Sequence, residues 1–336
     1  MSKKDIIVIG ASAGGFPVII DILTKLPATF NASIFIVWHM PAVAEGFLHT
    51  HLNKNHSLPA SVAAENELIR PGRIYIAPPD NHLIIQEGRT RLSTGPKENG
   101  FRPAIDPLFR SAALNYGNRV AGVILSGALD DGVAGLWMIK ECGGVAIVQD
   151  PGDAAVPSMP AHALQAVDVD YCLPPGSIHL LLIKLASEEK EPGRQVLTPV
   201  QNTILYRQAE IALQNSPKVS SEAALGAPGQ FTCPECKQPL GELKEGGHLQ
   251  YKCPDGHVYS ADNLLGAIGD NITTIVKTAM KGINESIALL NHIGDHFAHA
   301  NMTHIAAAYF CRAKETAKQT SCLQDALDMM VPRKVF

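Results

Sequence analysis

The sequence predicts an α/β protein whose core is a doubly wound, mostly parallel sheet of about seven strands. A small Cys/His module and an α-helical tail follow it. Three observations point there. Apolar, β-rich runs alternate with helix-periodic stretches from residue 1 to about residue 187. Several runs, such as Val120-Ala121-Gly122-Val123-Ile124-Leu125, are apolar without a break, as expected of a parallel strand buried on both faces. Beyond residue 230 the pattern changes to clustered cysteines, and then to apolar residues at i, i+3 and i+4.

Taken in order, the predicted strands are Asp5–Ile9, Ser33–Trp38, Arg73–Ala77, Leu83–Gln86, Val120–Leu125, Val145–Gln149 and Val169–Leu173. Helical periodicity places helices at Pro17–Lys25, Asp106–Tyr116, Val133–Glu141, Pro160–Val167 and Ile178–Ser187. The turn Pro78-Pro79-Asp80-Asn81-His82 suggests that Arg73–Ala77 and Leu83–Gln86 form an antiparallel hairpin at a sheet edge. Residues 1–187 therefore read as one α/β domain. Residues 188–230, rich in Glu, Lys, Pro, Gln and Ser, read as a linker with one helix-periodic stretch near Ile204–Gln214. Residues 231–260 carry the Cys/His module. Residues 261–332 form a tail of two or three helical segments, with Ser260 and Asp262 at its N-cap region.

Composition narrows the function classes. The chain has 336 residues and a formal charge of −4, so bulk electrostatic attraction to nucleic acid or to an anionic membrane is not expected. The N-terminus Met1-Ser2-Lys3-Lys4 leads straight into a strand without a signal-peptide core. No apolar run reaches the roughly 18–20 residues of a membrane span. These features predict a soluble cytoplasmic protein. Of the seven cysteines, Cys142, Cys172, Cys311 and Cys322 are scattered and read as small core residues.

The first strand runs into Gly10-Ala11-Ser12-Ala13-Gly14-Gly15 and then a helix. Such a turn suits either a serine nucleophile lifted above the sheet edge or a phosphate-cradling loop. The loop lacks Gly-Lys-Ser/Thr. It also reads Gly-x-x-x-Gly-Gly where a dinucleotide site has Gly-x-Gly-x-x-Gly, and the second strand ends in Trp38-His39 and not in a ribose-binding acid. The nucleophile reading is favoured. Parallel strands share a carboxyl edge, so His39 reaches the same rim as Ser12. So does the turn Ser126-Gly127-Ala128-Leu129-Asp130-Asp131-Gly132 after Val120–Leu125. Of its two carboxylates, one can cap the next helix and the other can orient His39. The order Ser, His, Asp differs from the Ser, Asp, His order of α/β-hydrolases.

Over about residues 4–186 the sequence resembles the catalytic domain of the chemotaxis protein-glutamate methylesterases, the CheB family. The blocks that carry the resemblance are Ile9–Gly15, Trp38-His39-Met40-Pro41, Pro71–Leu83, Arg102–Ala113, Ser126–Gly135, Val148-Gln149-Asp150 and Ser158-Met159-Pro160. The resemblance implies Ser12 as nucleophile, His39 as general base and Asp131 as the orienting acid. Asp131 is chosen over Asp130 because the family's acid immediately precedes a glycine, here Gly132. It further implies hydrolysis of a glutamyl γ-methyl ester through an acyl-enzyme, with glutamine deamidation by the same route. Backbone N–H groups around Ala13 and Ala128 would hold the oxyanion, and Arg102 would lie near an acidic substrate helix or serve as a surface salt bridge. The expected partner is a methyl-accepting receptor or a related signalling protein. The family's common Gly-Met-Gly-x-Asp-Gly turn is altered here at Ala128 and Leu129. Family enzymes normally carry an upstream receiver domain; the catalytic strand begins at Asp5, so none is expected in this chain.

Cys233-x2-Cys236, sixteen residues, and Cys253-x3-His257 supply two knuckles and four ligands for a tetrahedral structural zinc. The pattern looks like the zinc ribbons appended to stand-alone members of the methylesterase family. His248 competes as the fourth ligand with poorer spacing. No cofactor is expected for catalysis. His292, His296, His299 and His304 have partial i, i+4 spacing and read as a solvated helix face, with metal binding as the alternative. The helical tail is the candidate contact for a regulatory partner. Two other functional readings compete: a regulatory scaffold that retains the fold, and a serine hydrolase or amidase for a different ester.

Overall fold

A computed structural model describes residues 3–39, 47–55, 58–187, 227–245 and 248–330. The periodic stretch near residues 204–214, and nearly all of the expected linker, lie outside these residues. The described chain divides into two compact units, Met1–Leu264 and Leu265–Phe336.

The first unit is organised by a seven-stranded parallel sheet. Its strands are β1 (Ile6–Ala11), β2 (Ser33–Trp38), β3 (Ala60–Val62), β4 (Ile74–Ile76), β7 (Val120–Ile124), β8 (Val145–Gln149) and β9 (Tyr171–Leu173), in the order β3-β4-β2-β1-β7-β8-β9. The strand order reverses between β1 and β7, which leaves a crevice at the carboxyl edge where open α/β sheets bind ligands. Every residue of β1 is buried. Ile6 and Val8 pack on one face with Phe109, Leu136 and Met159. Those three belong to the helices α3 (Ile105–Tyr116), α4 (Val133–Glu141) and α5 (Ser158–Ala166). Ile7 and Ile9 pack on the other face with Ile19, Leu48 and Leu182. These come from α1 (Gly15–Thr24), α2 (Phe47–Asn55) and α6 (Pro175–Ser187). This two-sided burial is why the strand sequences lack hydrophobic alternation.

The predicted hairpin of Arg73–Ala77 with Leu83–Gln86 does not form. Ile74–Ile76, buried throughout, is an interior parallel strand between β2 and β3. Its neighbour in sequence, β5 (His82–Gln86), instead pairs with β6 (Arg89–Ser93) in a separate two-stranded sheet. The intervening Glu87 and Gly88 both have positive φ, 50° and 75°, as a two-residue hairpin turn requires. The seventh strand of the main sheet is β3, three residues long and too short to stand out by periodicity.

Four antiparallel strands, β10 (Ala227–Thr232), β11 (Pro239–Glu245), β12 (His248–Lys252) and β13 (Val258–Ser260), form a small sheet that belongs to the same unit. The helix α7 (Ala261–His299) follows directly. Ser260 caps it, its hydroxyl accepting from the Asn263 N–H at 3.2 Å. In the second unit, α7 and α8 (Thr303–Met330) make a helical hairpin. Phe297 stacks on Tyr309 with ring centroids 5.7 Å apart, and the Phe310 ring covers Gly294. Among the described residues no helix is long and apolar enough to cross a membrane. Cys142 is buried as expected, whereas Cys172 and Cys311 are exposed and are not core residues.

Candidate active site

Ser12 sits where β1 gives way to α1, at the switch point of the sheet. Gly14, with φ of 75°, turns the chain sharply, and a Cβ there would lie 2.8 Å from the Ser126 hydroxyl and 2.6 Å from Ala155 Cβ. The turn is fastened from both sides. The Ser12 N–H donates to the Ser126 carbonyl at 3.0 Å, and the Trp38 indole donates to the Ser12 carbonyl at 3.2 Å. Ser126 in turn donates its hydroxyl to the Ala13 carbonyl at 2.8 Å and accepts from Val156 N–H at 3.0 Å. Gly127 lies so close that an added Cβ would be 2.9 Å from Ser12 Cβ.

His39 follows β2, and its N–H continues the ladder to the Ala11 carbonyl at 3.0 Å. Its Nδ1 is 3.2 Å from Ser12 Oγ, and its Nε2 is 2.9 Å from Asp131 Oδ2. Asp131 is completely buried and precedes Gly132, whose φ of 91° starts α4. The Ile105 N–H donates to Asp131 Oδ2 at 2.6 Å and the Asn99 side-chain amide to Oδ1 at 3.0 Å. Burial opposes ionisation of this carboxyl. The hydrogen bond and charge of His39, with the Ile105 and Asn99 donors, outweigh burial and hold the pKa below the ordinary carboxylate value. Asp106, also buried, is driven the other way, well above the ordinary value, by burial and by the charge of Asp131. Negative charge is therefore concentrated on the carboxylate that faces His39.

Asp130 does not cap α4, which has no side-chain cap. It turns instead to the small sheet's end of the unit, accepting from Ser260 Oγ at 2.7 Å and from the Asn263 side-chain amide. Arg102 is engaged within the chain. Its guanidinium makes 2.9 and 2.7 Å bonds to Asp80 Oδ1, and 2.8 and 2.7 Å bonds to the Thr94 and Gly95 carbonyls. That arrangement favours the salt-bridge role, in which Arg102 fixes the loop that presents Phe101. Phe101 stacks flat on the His39 ring, with centroids 3.8 Å apart and planes within 8°. Buried His82 is a strut of the same loop. Its Nε2 bonds the Pro96 carbonyl at 2.8 Å and its Nδ1 accepts from Ala104 N–H at 3.2 Å, while burial lowers its pKa. Phe101, Asn99 and Asp106 were not singled out from the sequence. They lie within or beside the Arg102–Ala113 block, but nothing in their spacing says which of them face His39 or Asp131.

The oxyanion candidates Ala13 and Ala128 both lie exposed on the rim beside Ser12. Among the described residues neither backbone N–H has a protein acceptor. Leu129 adopts φ of 63°, a left-handed conformation that costs a branched residue about 1–2 kcal/mol. Its carbonyl accepts from His162 Nδ1 at 2.8 Å, which holds the strained turn in place. Replacing Leu129 with glycine should therefore raise unfolding stability by about 0.5–1 kcal/mol after glycine's greater unfolded-state entropy is counted. Urea denaturation of the two proteins would measure it, and a less stable glycine variant would contradict the strain.

Cys233, Cys236, Cys253 and His257 converge at one end of the small sheet, with their ligand atoms all within 4.8 Å of one another. Thiolates about 2.3 Å from a tetrahedral zinc stand about 3.8 Å apart. The Cys236–Cys253 sulfur separation is 3.6 Å, and Cys233 Sγ lies 3.7 Å from His257 Nδ1. The far nitrogen of His257 faces Glu235 at 3.5 Å, the carboxylate partner that metal-bound histidines usually have. The residues fit a metal ion. The His248 side chain lies outside the described residues. Among those described, the tail histidines form no ligand cluster.

The α/β part of the chain is similar to known proteins. Residues 7–182 match the family model described as CheB methylesterase. The chain is 42% identical over 186 residues to a putative protein-glutamate methylesterase/protein-glutamine glutaminase of Leptospira interrogans, covering 55% of this chain and 96% of that protein. A protein-glutamate methylesterase/protein-glutamine glutaminase of Anaeromyxobacter dehalogenans is 39% identical over 187 residues, but the match spans only 54% of its length. The crystal structure of the Thermotoga maritima CheB methylesterase catalytic domain superposes with a TM-score of 0.52 at 35% identity, covering 55% of this chain and 99% of that one. Residues 7–182 carry the match, more than half of the sequence, and the chain belongs to the CheB methylesterase family.

Proposed function

We propose that this protein is a protein-glutamate methylesterase that removes γ-methyl esters from glutamate side chains of a methyl-accepting receptor or a related signalling protein. The observation that carries the reading is the continuous relay from Ser12 Oγ through His39 to Asp131, at 3.2 and 2.9 Å, at the switch point of the sheet. In this mechanism His39 Nδ1 takes the Ser12 proton as Oγ attacks the ester carbonyl. Asp131 stabilises the resulting imidazolium through Nε2. The tetrahedral oxyanion is held by the Ala13 and Ala128 N–H groups, donors of a kind whose loss typically costs about 100- to 1000-fold. The intermediate collapses, the methoxide leaves with the proton from His39, and methanol departs. Water, deprotonated by His39, then attacks the acyl-enzyme and releases glutamate and Ser12. A glutamine side chain would follow the same course with ammonia as the leaving group, a reading supported by the glutaminase activity in the relatives' names. The enzyme would act in the cytoplasm, on the cytoplasmic part of its receptor.

Methanol release from methylated receptor would test the reading. The wild type should release it, and Ser12→Ala should lose at least about 1000-fold in rate. Equal release by both proteins would rule the reading out.

The same proposal gives Cys233, Cys236, Cys253 and His257 a structural zinc, which when bound would cross-link the two knuckles of the small sheet. Four protein ligands leave no open position for a substrate or water, so no catalytic step passes through the metal. Elemental analysis of protein purified without chelators should find about one zinc per chain. Its absence, or its persistence in a Cys233→Ser/Cys236→Ser protein, would count against the site.

A further inference from the structure

The small sheet reaches the triad through one side chain. Asn99 lies in the loop after β6, buried and with φ of 53°. Its N–H donates to the Val258 carbonyl at 2.7 Å, and the Val258 N–H donates to the Lys97 carbonyl at 3.4 Å. Thus Lys97–Asn99 pairs along β13. The Asn99 side chain bridges the two parts of the unit. Its Oδ1 accepts from the Ser260 N–H at 3.0 Å, while its Nδ2 donates to Asp131 Oδ1 at 3.0 Å and to Asp106 Oδ2 at 3.2 Å. Because the backbone donor of Ser260 demands the oxygen end, the amide end is the one presented to Asp131. A free side chain would have no such preference built in.

The metal ligands adjoin this clamp. His257 immediately precedes Val258, and Glu235, which faces His257, also lies 3.9 Å from Lys97. A second tie runs in parallel, from Ser260 Oγ to Asp130, the neighbour of Asp131. Strands this short bury little apolar surface, and a structural metal, when bound, would help to hold such a sheet in shape. An ion held by the four ligands would fix His257 and so the start of β13, on which the seat of Asn99 rests.

We propose that Asn99 is a positioning residue for Asp131, and that metal binding at Cys233, Cys236, Cys253 and His257 sets it, so that loss of the metal slows chemistry at Ser12 from outside the triad. This rests on the methylesterase reading only in taking Ser12 as the nucleophile. Asn99 does not touch the reacting atoms. It supplies one donor to a desolvated carboxylate and so helps to fix the plane in which that carboxylate meets His39. Loss of a hydrogen bond to a buried charge corresponds to roughly 10- to 100-fold in rate where that charge steers the transition state.

The test is a cycle on the full-length chain, read by the rate at which a fluorophosphonate probe labels Ser12 and, separately, by kcat and KM. Wild type and Asn99→Ala are each compared metal-loaded and after chelation, with circular dichroism to show that the large sheet persists. Metal-loaded Asn99→Ala should hold its zinc, label roughly 10- to 100-fold more slowly and lose kcat with KM unchanged. Chelated wild type should slow to a similar degree and lose amide-exchange protection at residues 97–99 and 258–260. Chelation of Asn99→Ala should add little, because both changes remove the same contact. Equal labelling of all four samples would overturn the proposal, and so would fully multiplicative losses. Were Ser12 not labelled even in metal-loaded wild type, while the zinc was present, the methylesterase reading itself would fail and this proposal with it.

Discussion

The arrangement of the active site depends on one ionised carboxylate buried without contact with solvent. Taking a carboxylate out of water costs several kcal/mol even after the protein relaxes, and the cost is offset only by donors already aimed at it. Asp131 receives the His39 ring, the first N–H of α3 at Ile105 and the Asn99 amide. Each comes from a different segment, so the end of β2, the start of α3 and the loop after β6 must all be in place before the charge is stable. The neighbouring Asp106 shows the alternative. Equally buried, and given donors by Gly135 at 2.7 Å and Asn99 at 3.2 Å, it lies beside the charge of Asp131, and burial together with that charge raises its pKa. Two adjacent carboxyls thus receive opposite treatments, and the one facing His39 carries the charge.

The sheet makes this possible by placing three chain reversals on one rim. β1 is the central strand, with β2 on one side and β7 on the other, so the residues that follow these strands converge without any long excursion. Small residues close the gap: Gly10, Gly14 and Gly127 each lie where a Cβ would meet a neighbour at under 3 Å. Phe101 then covers the outer face of His39 and Arg102 anchors the loop that carries Phe101. Arg102, placed near the substrate by resemblance, braces the loop beside it through Asp80, Thr94 and Gly95. The small antiparallel sheet reaches the same neighbourhood from the other side, through Asn99 and Asp130.

Much of this was legible in the sequence because the responsible signals are local. An uninterrupted apolar run identifies a strand covered on both faces, and a glycine turn after it marks a rim position. Hence Ser12, His39 and the 130–131 pair fall on one edge from the sequence alone. The Cys/His spacing likewise specifies two knuckles irrespective of what surrounds them. What stayed hidden is long-range. The pairing of Ile74–Ile76 was misread because a three-residue partner, Ala60–Val62, carries too few side chains to show a period. The division of labour between Asp130 and Asp131 could not be read from residue types, since both precede α4 and only tertiary packing sends one to His39 and the other to Ser260. Phe101 and Asn99 act through stacking and through a bridge between segments more than 150 residues apart, as from Asn99 to Ser260, and neither leaves a trace in spacing.

Asp131 fixes both the orientation and the tautomer of His39. With Nε2 directed at the carboxylate, the neutral ring must carry its proton there and leave Nδ1 free to accept from Ser12. Nitrogen-15 NMR of the histidine ring reads this directly. The neutral ring should be the Nε2–H tautomer in the wild type, replaced by a tautomer mixture in Asp131→Asn. A proton found on Nδ1 in the wild type, or a spectrum unchanged in Asp131→Asn, would contradict it.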